Sequence, residues 1–327
     1  MSDAEQRSPR ISIGIPTLNR PDLVKAALST VLSQSHRDLE VTVVDNGSTH
    51  ETLDALHELS DPRVLVRRNS ETIPRTDNYN IALHAGSGEY VAILADDDEW
   101  LPTLLARTAR ILDERPDVAL VHTGYQVVDA QGELLYVVDQ PGRNRDGFVS
   151  GEDYLRSVLG GTHRIEFTAT LLRRAALPVG GFRPEDDVAD DIGLLLRMAT
   201  RGNVAFVNEP LARVRFHDRS ASTSGGSQLI RDRYQRSIAY RAACTEVKLR
   251  FLAENAQVLP EHRELLRVTR RSFRRHLLVP AARALRRPPD VRSALRTAVA
   301  DTAYDRWSLA DPGAWKQAVA AYLDRAS

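Results

Sequence analysis

Cysteine is almost absent from this chain: Cys244 stands alone among 327 residues. A single thiol excludes an internal disulfide and any cysteine-based zinc cluster, and its expected place is a buried apolar position. Long apolar runs are missing as well. No uninterrupted stretch approaches the roughly 18 residues that span a bilayer. The segment Met1 to Arg10 is polar and lacks a signal-peptide core, so a cytoplasmic protein is expected. There is no excess of charge either, with 44 Lys and Arg against 44 Asp and Glu. A general nucleic-acid binder is normally basic, so no nucleic-acid partner is expected. Internal repeats and low-complexity segments are not evident. What remains is 42% apolar content, enough for one large domain or a domain with an appendage.

The first half alternates short β-rich runs with helix-like segments. Strands are expected at 11–15, 41–44, 64–66, 90–94 and 118–121. Helices are expected at 21–32, 52–59, 76–84 and 101–113. The first helix has Pro21 near its first turn and offers Leu23, Ala26, Ala27 and Leu32 for one face. This βαβα rhythm predicts an α/β fold with a mostly parallel sheet and helices on both faces. The middle differs, with a hairpin expected over 125–138 around Ala130-Gln131-Gly132 and a strand over 168–172. An amphipathic helix is expected over 190–199, and another strand over 212–216. The Gly/Ser-rich stretch Ser220 to Gln228 marks a boundary or a loop able to close over a ligand. Beyond it the chain reads helical to its end.

The most informative stretch is Ala95-Asp96-Asp97-Asp98-Glu99-Trp100, placed directly after the apolar run Tyr90 to Leu94. Ligands of open α/β sheets bind beyond the carboxyl ends of the strands. Packed carboxylates repel one another unless solvent or a cation offsets them, and hard divalent cations favour such oxygen ligands. Mg²⁺ usually takes one or two carboxylates and completes its shell with substrate phosphates. The simpler alternative is that Asp97 and Asp98 cap the following helix. Two further loops sit at strand carboxyl ends. In Ile15-Pro16-Thr17-Leu18-Asn19-Arg20, the proline fixes the turn, and backbone amides with the Thr17 hydroxyl can meet a ligand. In Asp45-Asn46-Gly47-Ser48, a carboxylate can accept hydrogen bonds from a base or ribose while Gly47 allows close approach. A plain turn with a cap from Ser48 or Thr49 is the alternative there.

Several motifs occur in an order that resembles the inverting family 2 glycosyltransferases of the GT-A fold. They are Pro16-Thr17-x-Asn19-Arg20, Val44-Asp45-Asn46-Gly47-Ser48-Thr49, Gly88-Glu89-Tyr90-Val91 and Asp96-Asp97-Asp98-Glu99-Trp100-Leu101-Pro102. Gly180-Gly181-Phe182, Asp190-Asp191 and Arg213-Val214-Arg215-Phe216-His217 follow. The resemblance runs over residues 10–220. It implies a GT-A, Rossmann-like catalytic domain over 1–225, its nucleotide-binding half about 10–125 and its acceptor half about 126–225. Residues 226–327 would be a helical C-terminal region.

The resemblance also implies roles. Pro16, Thr17, Asn19, Asp45, Gly47, Arg75 and Asp96 would meet the nucleotide, with Asp45 facing the base. Asp97 would ligate Mg²⁺ or Mn²⁺, and His217 would contact the metal or the diphosphate. Asp98 and Asp190 would support the site, and Asp191 would be the base that takes the acceptor proton. The family's acidic motif often reads Asp-x-Asp-Asp. Here Ala95 stands at its first position, as in the shorter form that some members carry. Gly180-Gly181-Phe182 would shape the sugar and acceptor pocket or form a turn. Read from the residues alone, Arg213 and Arg215 alternate with apolar residues and would face phosphate or solvent, and Trp100 would anchor the helix start by packing, with stacking on a sugar as the alternative.

The implied reaction is metal-dependent transfer of a sugar from a nucleotide-diphosphate donor, UDP- or dTDP-linked, to an acceptor hydroxyl. The acceptor would be a saccharide, a lipid-linked saccharide or a small molecule, in cell-envelope or natural-product glycosylation. Two other readings stay open. One is an inactive nucleotide- or sugar-binding module, which Ala95 makes conceivable. The other is a nucleotidyltransferase, which would favour a Gly-rich basic loop after the first strand. In the tail, Leu266, Phe273 and Leu277 could form an apolar stripe among Arg263, Arg267, Arg270, Arg271, Arg274, Arg275, Arg286 and Arg287. Such a helix suits an anionic membrane surface at the inner face, a homodimer contact, or packing on its own domain. Trp307 and Trp315 are expected as packing or dimer residues.

Overall fold

The computed structural model describes residues 9–58, 60–138, 146–161, 166–216, 243–257, 259 and 261–273. The chain divides into two compact units. One comprises Met1–Leu155, His163–Pro184 and Leu194–Phe216; the other comprises Arg156–Thr162, Glu185–Gly193 and His217–Ser327.

The first unit is built on a mixed ten-stranded sheet among the described residues. Its parallel half is β1 (Ile11–Thr17), β2 (Leu39–Asp45), β3 (Val64–Arg68) and β4 (Tyr90–Ile93), in the order β3-β2-β1-β4. Every residue of β1 is buried, as expected for a central strand covered on both faces. The register sets Thr17 opposite Asp45, so β1 and β2 end together. Their crossovers are α1 (Pro21–Leu32), α2 (His50–His57) and α3 (Arg75–His84). Gly14 lets α3 lie close on β1: a Cβ there would strike the Ala82 carbonyl and come within 2.8 Å of the Ala82 Cβ. The buried stripe of α1 is Val24, Ala27, Leu28 and Val31. Of the residues expected on that face only Ala27 is fully buried. The i, i+3, i+4, i+7 spacing selects the valines and Leu28 over Leu23 and Ala26.

The second half of the sheet mixes the two directions. After β4 the chain makes the two-residue β5 (Glu99–Trp100) before α4 (Leu104–Glu114), so the expected helix start at 101 moves three residues on. β6 (Val118–Val128) pairs antiparallel with β7 (Leu134–Val138), confirming the hairpin around Gly132. β8 (Gly147–Val149) and α5 (Gly151–Leu159) follow. β9 (Thr170–Arg173) begins after a 3-10 turn at Phe167–Ala169 and wedges antiparallel between β4 and β6. α6 (Asp190–Ala199) leads into β10 (Asn203–Arg215), which runs parallel to β6 with irregularities around Pro210. The strand expected over 212–216 is thus only the end of a strand of 13 residues.

In the second unit, α7 (243–254) and α8 (His262–Phe273) carry most of the described residues. Val247, Phe251, Leu252 and Leu265 are buried. Arg250 donates from Nη1 to Asp186 Oδ1 at 2.8 Å and from Nη2 to Glu246 Oε1 at 3.0 Å. Lys248 donates to the Val158 carbonyl at 2.6 Å. The inner face of α8 is marked by Leu265 and Thr269, while Leu266, expected in the apolar stripe, is half-buried. Arg263, Arg267, Arg270 and Arg271 are exposed. Leu277, Arg274, Arg275, Arg286, Arg287, Trp307, Trp315 and the Ser220 to Gln228 stretch lie outside the described residues. Among those described, no helix is long and apolar enough to cross a membrane.

Candidate active site

The acidic loop leaves β4 as a tight turn, closed by the Asp98 amide donating to the Ala95 carbonyl at 3.1 Å. Its carboxylates do not cap a helix. α4 begins at Leu104, its N-cap Thr103 makes no side-chain cap bond, and each aspartate is committed elsewhere. Thr17 Oγ1 donates to Asp96 Oδ2 at 2.7 Å. Arg20 Nη1 donates to Asp96 Oδ1 at 2.8 Å and to Asp97 Oδ2 at 2.9 Å. The β1 loop and the β4 loop are thereby joined through one hydroxyl and one guanidinium.

Charge in this loop is held against its preference for water. Burial raises the Asp96 carboxyl to about 6, even though Arg20 and the Thr17 hydroxyl act to lower it. Burial, then Asp97 and Glu166 nearby, push Asp98 well above the usual carboxylate range; the Arg215 amide and the Thr168 hydroxyl pull the other way. Burial also opposes the Arg20 charge, but Asp96 and Asp97 more than offset it and keep the guanidinium protonated. An acidic cluster so sparingly compensated favours added positive charge. The inward oxygens of Asp96 and Asp97 already converge on one cationic nitrogen, and two carboxylate oxygens are what a hard divalent ion usually takes from protein. Among the described residues no group of three or more His, Cys, Asp or Glu is arranged to hold a metal by itself.

The far side of the loop is fixed by the end of β10. The Arg215 amide donates to Asp98 Oδ1 at 2.9 Å, its Nε to the Asp97 carbonyl at 3.2 Å, and its Nη2 to Glu99 Oε1 at 2.8 Å. Arg215 therefore turns away from solvent, with 12% of its side chain exposed, and staples the acidic loop. Arg213 reaches Glu99 at 3.5 Å. Trp100, expected as a packing anchor, is a buried strand residue whose Nε1 donates to the Thr168 carbonyl at 2.7 Å.

The Asp45 corner lies one strand over. Asp45 is fully buried, and its Oδ1 accepts the Ser48 amide at 3.1 Å. Its Oδ2 accepts no hydrogen bond and lies 3.6 Å from Arg68 Nε. Buried acceptors are nearly always satisfied, so an unused carboxylate oxygen marks a place built for a donor. Neither Ser48 nor Thr49 caps α2. Instead Ser48 Oγ accepts the Asn19 amide and Asn19 Oδ1 accepts the Thr49 amide, each at 2.8 Å. Asn19 adopts φ 55°, a conformation that asparagine tolerates better than most residues. Gly47 has φ 80° and passes so close to the Glu71–Thr72 backbone that a Cβ would lie 3.0 Å from it.

Three asparagines shape the adjoining loop. Asn69 Nδ2 donates to Asn46 Oδ1 at 3.0 Å and to Asn78 Oδ1 at 2.9 Å. Asn46 also closes on both polar atoms of the Ile73 backbone. Arg75, the first residue of α3, is exposed and packs over the Tyr79 ring at 5.1 Å. Asn80 pairs with the Phe182 amide and carbonyl at 2.8 and 2.9 Å, so the Gly180-Gly181-Phe182 turn is anchored to α3. Gly180 and Gly181 both have positive φ.

Of the residues expected to carry function, the fold brings Pro16, Thr17, Asn19, Asp45, Gly47, Asp96, Asp97 and Asp98 to the carboxyl ends of β1, β2 and β4. Asp190 and Asp191 open α6 in the second unit. Asp190 is buried, and Asp191 is half-buried with its Oδ1 accepting the Ile192 amide at 2.8 Å. His217 lies outside the described residues. Sequence reasoning gave no role to Arg20, Arg68, Asn69 or Thr168. Arg20 carried a signal, its place inside the Pro16–Arg20 motif; the others are ordinary polar residues until the fold assembles them.

Known proteins resemble this chain in sequence and in fold. Residues 12–178 match the family model described as Glycosyl transferase family 2. A GalNAc(5)-diNAcBac-PP-undecaprenol beta-1,3-glucosyltransferase of Campylobacter jejuni is 29% identical over 169 residues, which are 50% of this chain and 53% of that protein. The chain thus spans about half the length of that relative. A putative teichuronic acid biosynthesis glycosyltransferase, TuaG, of Bacillus subtilis is 28% identical over 66% of this chain and 82% of its own. Among solved structures, S. aureus TarS 1-349 in complex with UDP-GlcNAc aligns with a TM-score of 0.67 at 15% identity, covering 90% of this chain and 80% of that one. A mannosyltransferase of Pyrobaculum calidifontis in complex with GDP-Man and Mn²⁺ aligns with a TM-score of 0.52 at 19% identity, covering 98% and 86%. The architecture is the GT-A type.

Proposed function

The chain belongs to glycosyl transferase family 2, and from that premise we propose that it moves a sugar, with inversion, from a nucleotide-diphosphate donor to an acceptor hydroxyl. UDP or dTDP is the favoured nucleotide. A lipid-linked saccharide is the favoured acceptor, in keeping with the undecaprenol-linked substrate named for the Campylobacter relative. One observation carries the reading: Asp96 and Asp97 turn carboxylate oxygens toward a single cation at the end of the parallel half-sheet.

In this reading residues 1–225 hold the chemistry and residues 10–125 the nucleotide. The unused Asp45 Oδ2 accepts a hydrogen bond from the base, and the Asn19–Ser48 clasp fixes the backbone beside it. Thr17 holds Asp96 through its Oδ2, and the second oxygen would serve the diphosphate side. Asp97, with Asp96 beside it, would hold Mg²⁺ or Mn²⁺, and His217 would contact the metal or diphosphate. That ion would supply electrostatic stabilisation of the departing nucleotide. Arg75 contributes positive charge to the nucleotide. Asp191 takes the proton from the acceptor hydroxyl as that oxygen attacks the anomeric carbon from the face opposite the leaving group, and Asp190 supports it. A protein so equipped works where activated sugars are made, in the cytoplasm, and meets a lipid-linked acceptor at the membrane surface.

The test is a thermal-shift and calorimetric screen of UDP, dTDP, GDP and ADP with and without Mn²⁺, followed by donor turnover across the corresponding sugars. A ligand of the native state raises the melting temperature. Uridine or thymidine diphosphate should stabilise, and more so with Mn²⁺. Absence of any nucleotide effect would refute the donor reading; binding without turnover of any nucleotide sugar would favour an inactive binding module.

A further inference from the structure

We propose that Arg20 is a built-in counter-cation for the acidic loop, which a divalent ion must displace before it can use Asp96 and Asp97. The inference rests on the metal-binding part of the reading above and adds a competitor to it. Three observations meet at this residue. A single Arg20 nitrogen contacts both inward carboxylate oxygens, at 2.8 and 2.9 Å. The other Asp96 oxygen is taken by the Thr17 hydroxyl, so that carboxylate cannot simply rotate to offer a fresh face. The guanidinium is also largely sheltered, with 29% of its side chain exposed, so its attraction to the acids is screened less than that of a surface pair.

An incoming cation therefore meets a carboxylate pair that is already neutralised in part. Bringing it in means breaking two charge-assisted hydrogen bonds and leaving a guanidinium without its anions. A diphosphate changes that balance. Its oxygens are the partner a planar guanidinium matches in fork geometry, so the displaced Arg20 can turn to them. Metal and diphosphate then assist each other through one side chain. By linkage the assistance must be reciprocal: whatever factor UDP adds to metal affinity, metal adds to UDP affinity.

The full-length chain, Arg20→Met and Arg20→Lys are titrated with Mn²⁺ alone, followed by electron paramagnetic resonance of the free ion, and with UDP with and without Mn²⁺ by calorimetry. Arg20→Met should bind Mn²⁺ alone about tenfold more tightly than wild type, since it keeps the acids and loses the competing charge. Arg20→Lys should lie between, because a point charge on a flexible stem holds two carboxylates less well. In the wild type, UDP and Mn²⁺ should strengthen each other, and this coupling should shrink in Arg20→Met. Unchanged or weaker Mn²⁺ binding by Arg20→Met would overturn the proposal. So would a wild type that binds Mn²⁺ as tightly without UDP as with it, a measurement that needs no variant. If UDP bound neither protein while Mn²⁺ still bound the Met variant more tightly, the donor reading would fall and the counter-cation would stand.

Discussion

The hydroxyl of Thr17 donates to the carboxylate of Asp96 across 2.7 Å, and that bond joins the ends of two neighbouring parallel strands, β1 and β4. Thr17 also stands opposite Asp45 in the β1–β2 register. One residue thus links the proposed base-binding and metal-binding corners. Thr17→Val keeps the shape and removes the donor. It should lower stability by about 1–3 kcal/mol, the usual cost of leaving a buried acceptor short of a bond, and Thr17→Ser should restore most of it. Denaturant unfolding of the three proteins checks this; equal stability of the Val variant and wild type would show that the bond carries nothing.

The pH dependence of Asp96 has a definite sign. Its carboxyl titrates at about 6 in the fold against 3.8 ordinarily, with burial as the main cause. A raised acid favours the fold in its protonated form, so its contribution is complete below about pH 4 and lost as pH rises through 6. Asp96→Asn should therefore gain on wild type between pH 4.5 and pH 7.5, by up to about 3 kcal/mol. Melting temperatures of both proteins across that range decide the point. A stability difference that stays flat would show that burial does not penalise this carboxylate.

Asp45→Asn tests the base contact. The amide still has an oxygen for the Ser48 amide but loses the charge that faces Arg68 and the acceptor that stays unused. UDP affinity should fall about tenfold, roughly 1.4 kcal/mol, while Mn²⁺ binding without nucleotide stays as in wild type. Calorimetry with each ligand separates the two. UDP affinity unaltered by the substitution would remove Asp45 from the nucleotide site.

Asp191→Asn tests the proposed base. Turnover should drop about 10²- to 10⁴-fold, the range over which a positioned proton acceptor acts, with UDP affinity little changed. Steady-state rates and a UDP titration on the same preparation are the measurements. A variant that turns over normally would send the search for the base elsewhere in the acceptor half.

Much of this was readable from residue order alone. The central strand announced itself through Ile11, Ile13 and Ile15, and the acidic loop through three adjacent aspartates after an apolar run. What periodicity could not supply was anything set by distant pairing. The length of β10 was hidden because Glu209 and Pro210 interrupt its apolar pattern, and β9 is a short run whose direction only its neighbours decide. The fate of Asp98 depends on an amide at position 215, and that of Asp45 on Arg68 from the next strand. Arginine was hardest to place. Arg215 reads as an alternating strand residue, yet it is the staple of the loop, while Arg20 reads as the tail of a motif and holds two of its acids.

The staple at Arg215 bears on where this protein can be cut. The family match ends at residue 178, and a fragment stopping there would contain Thr17, Arg20, Asp45 and the whole acidic loop. It would lack β10, and with it the amide and guanidinium that hold Asp97, Asp98 and Glu99 in place. During synthesis the same holds in time: the carboxylates emerge more than a hundred residues before the strand that fixes them, so the loop cannot take its final form until β10 has joined β6. A boundary drawn from sequence similarity alone would separate the acids from the clamp that holds them.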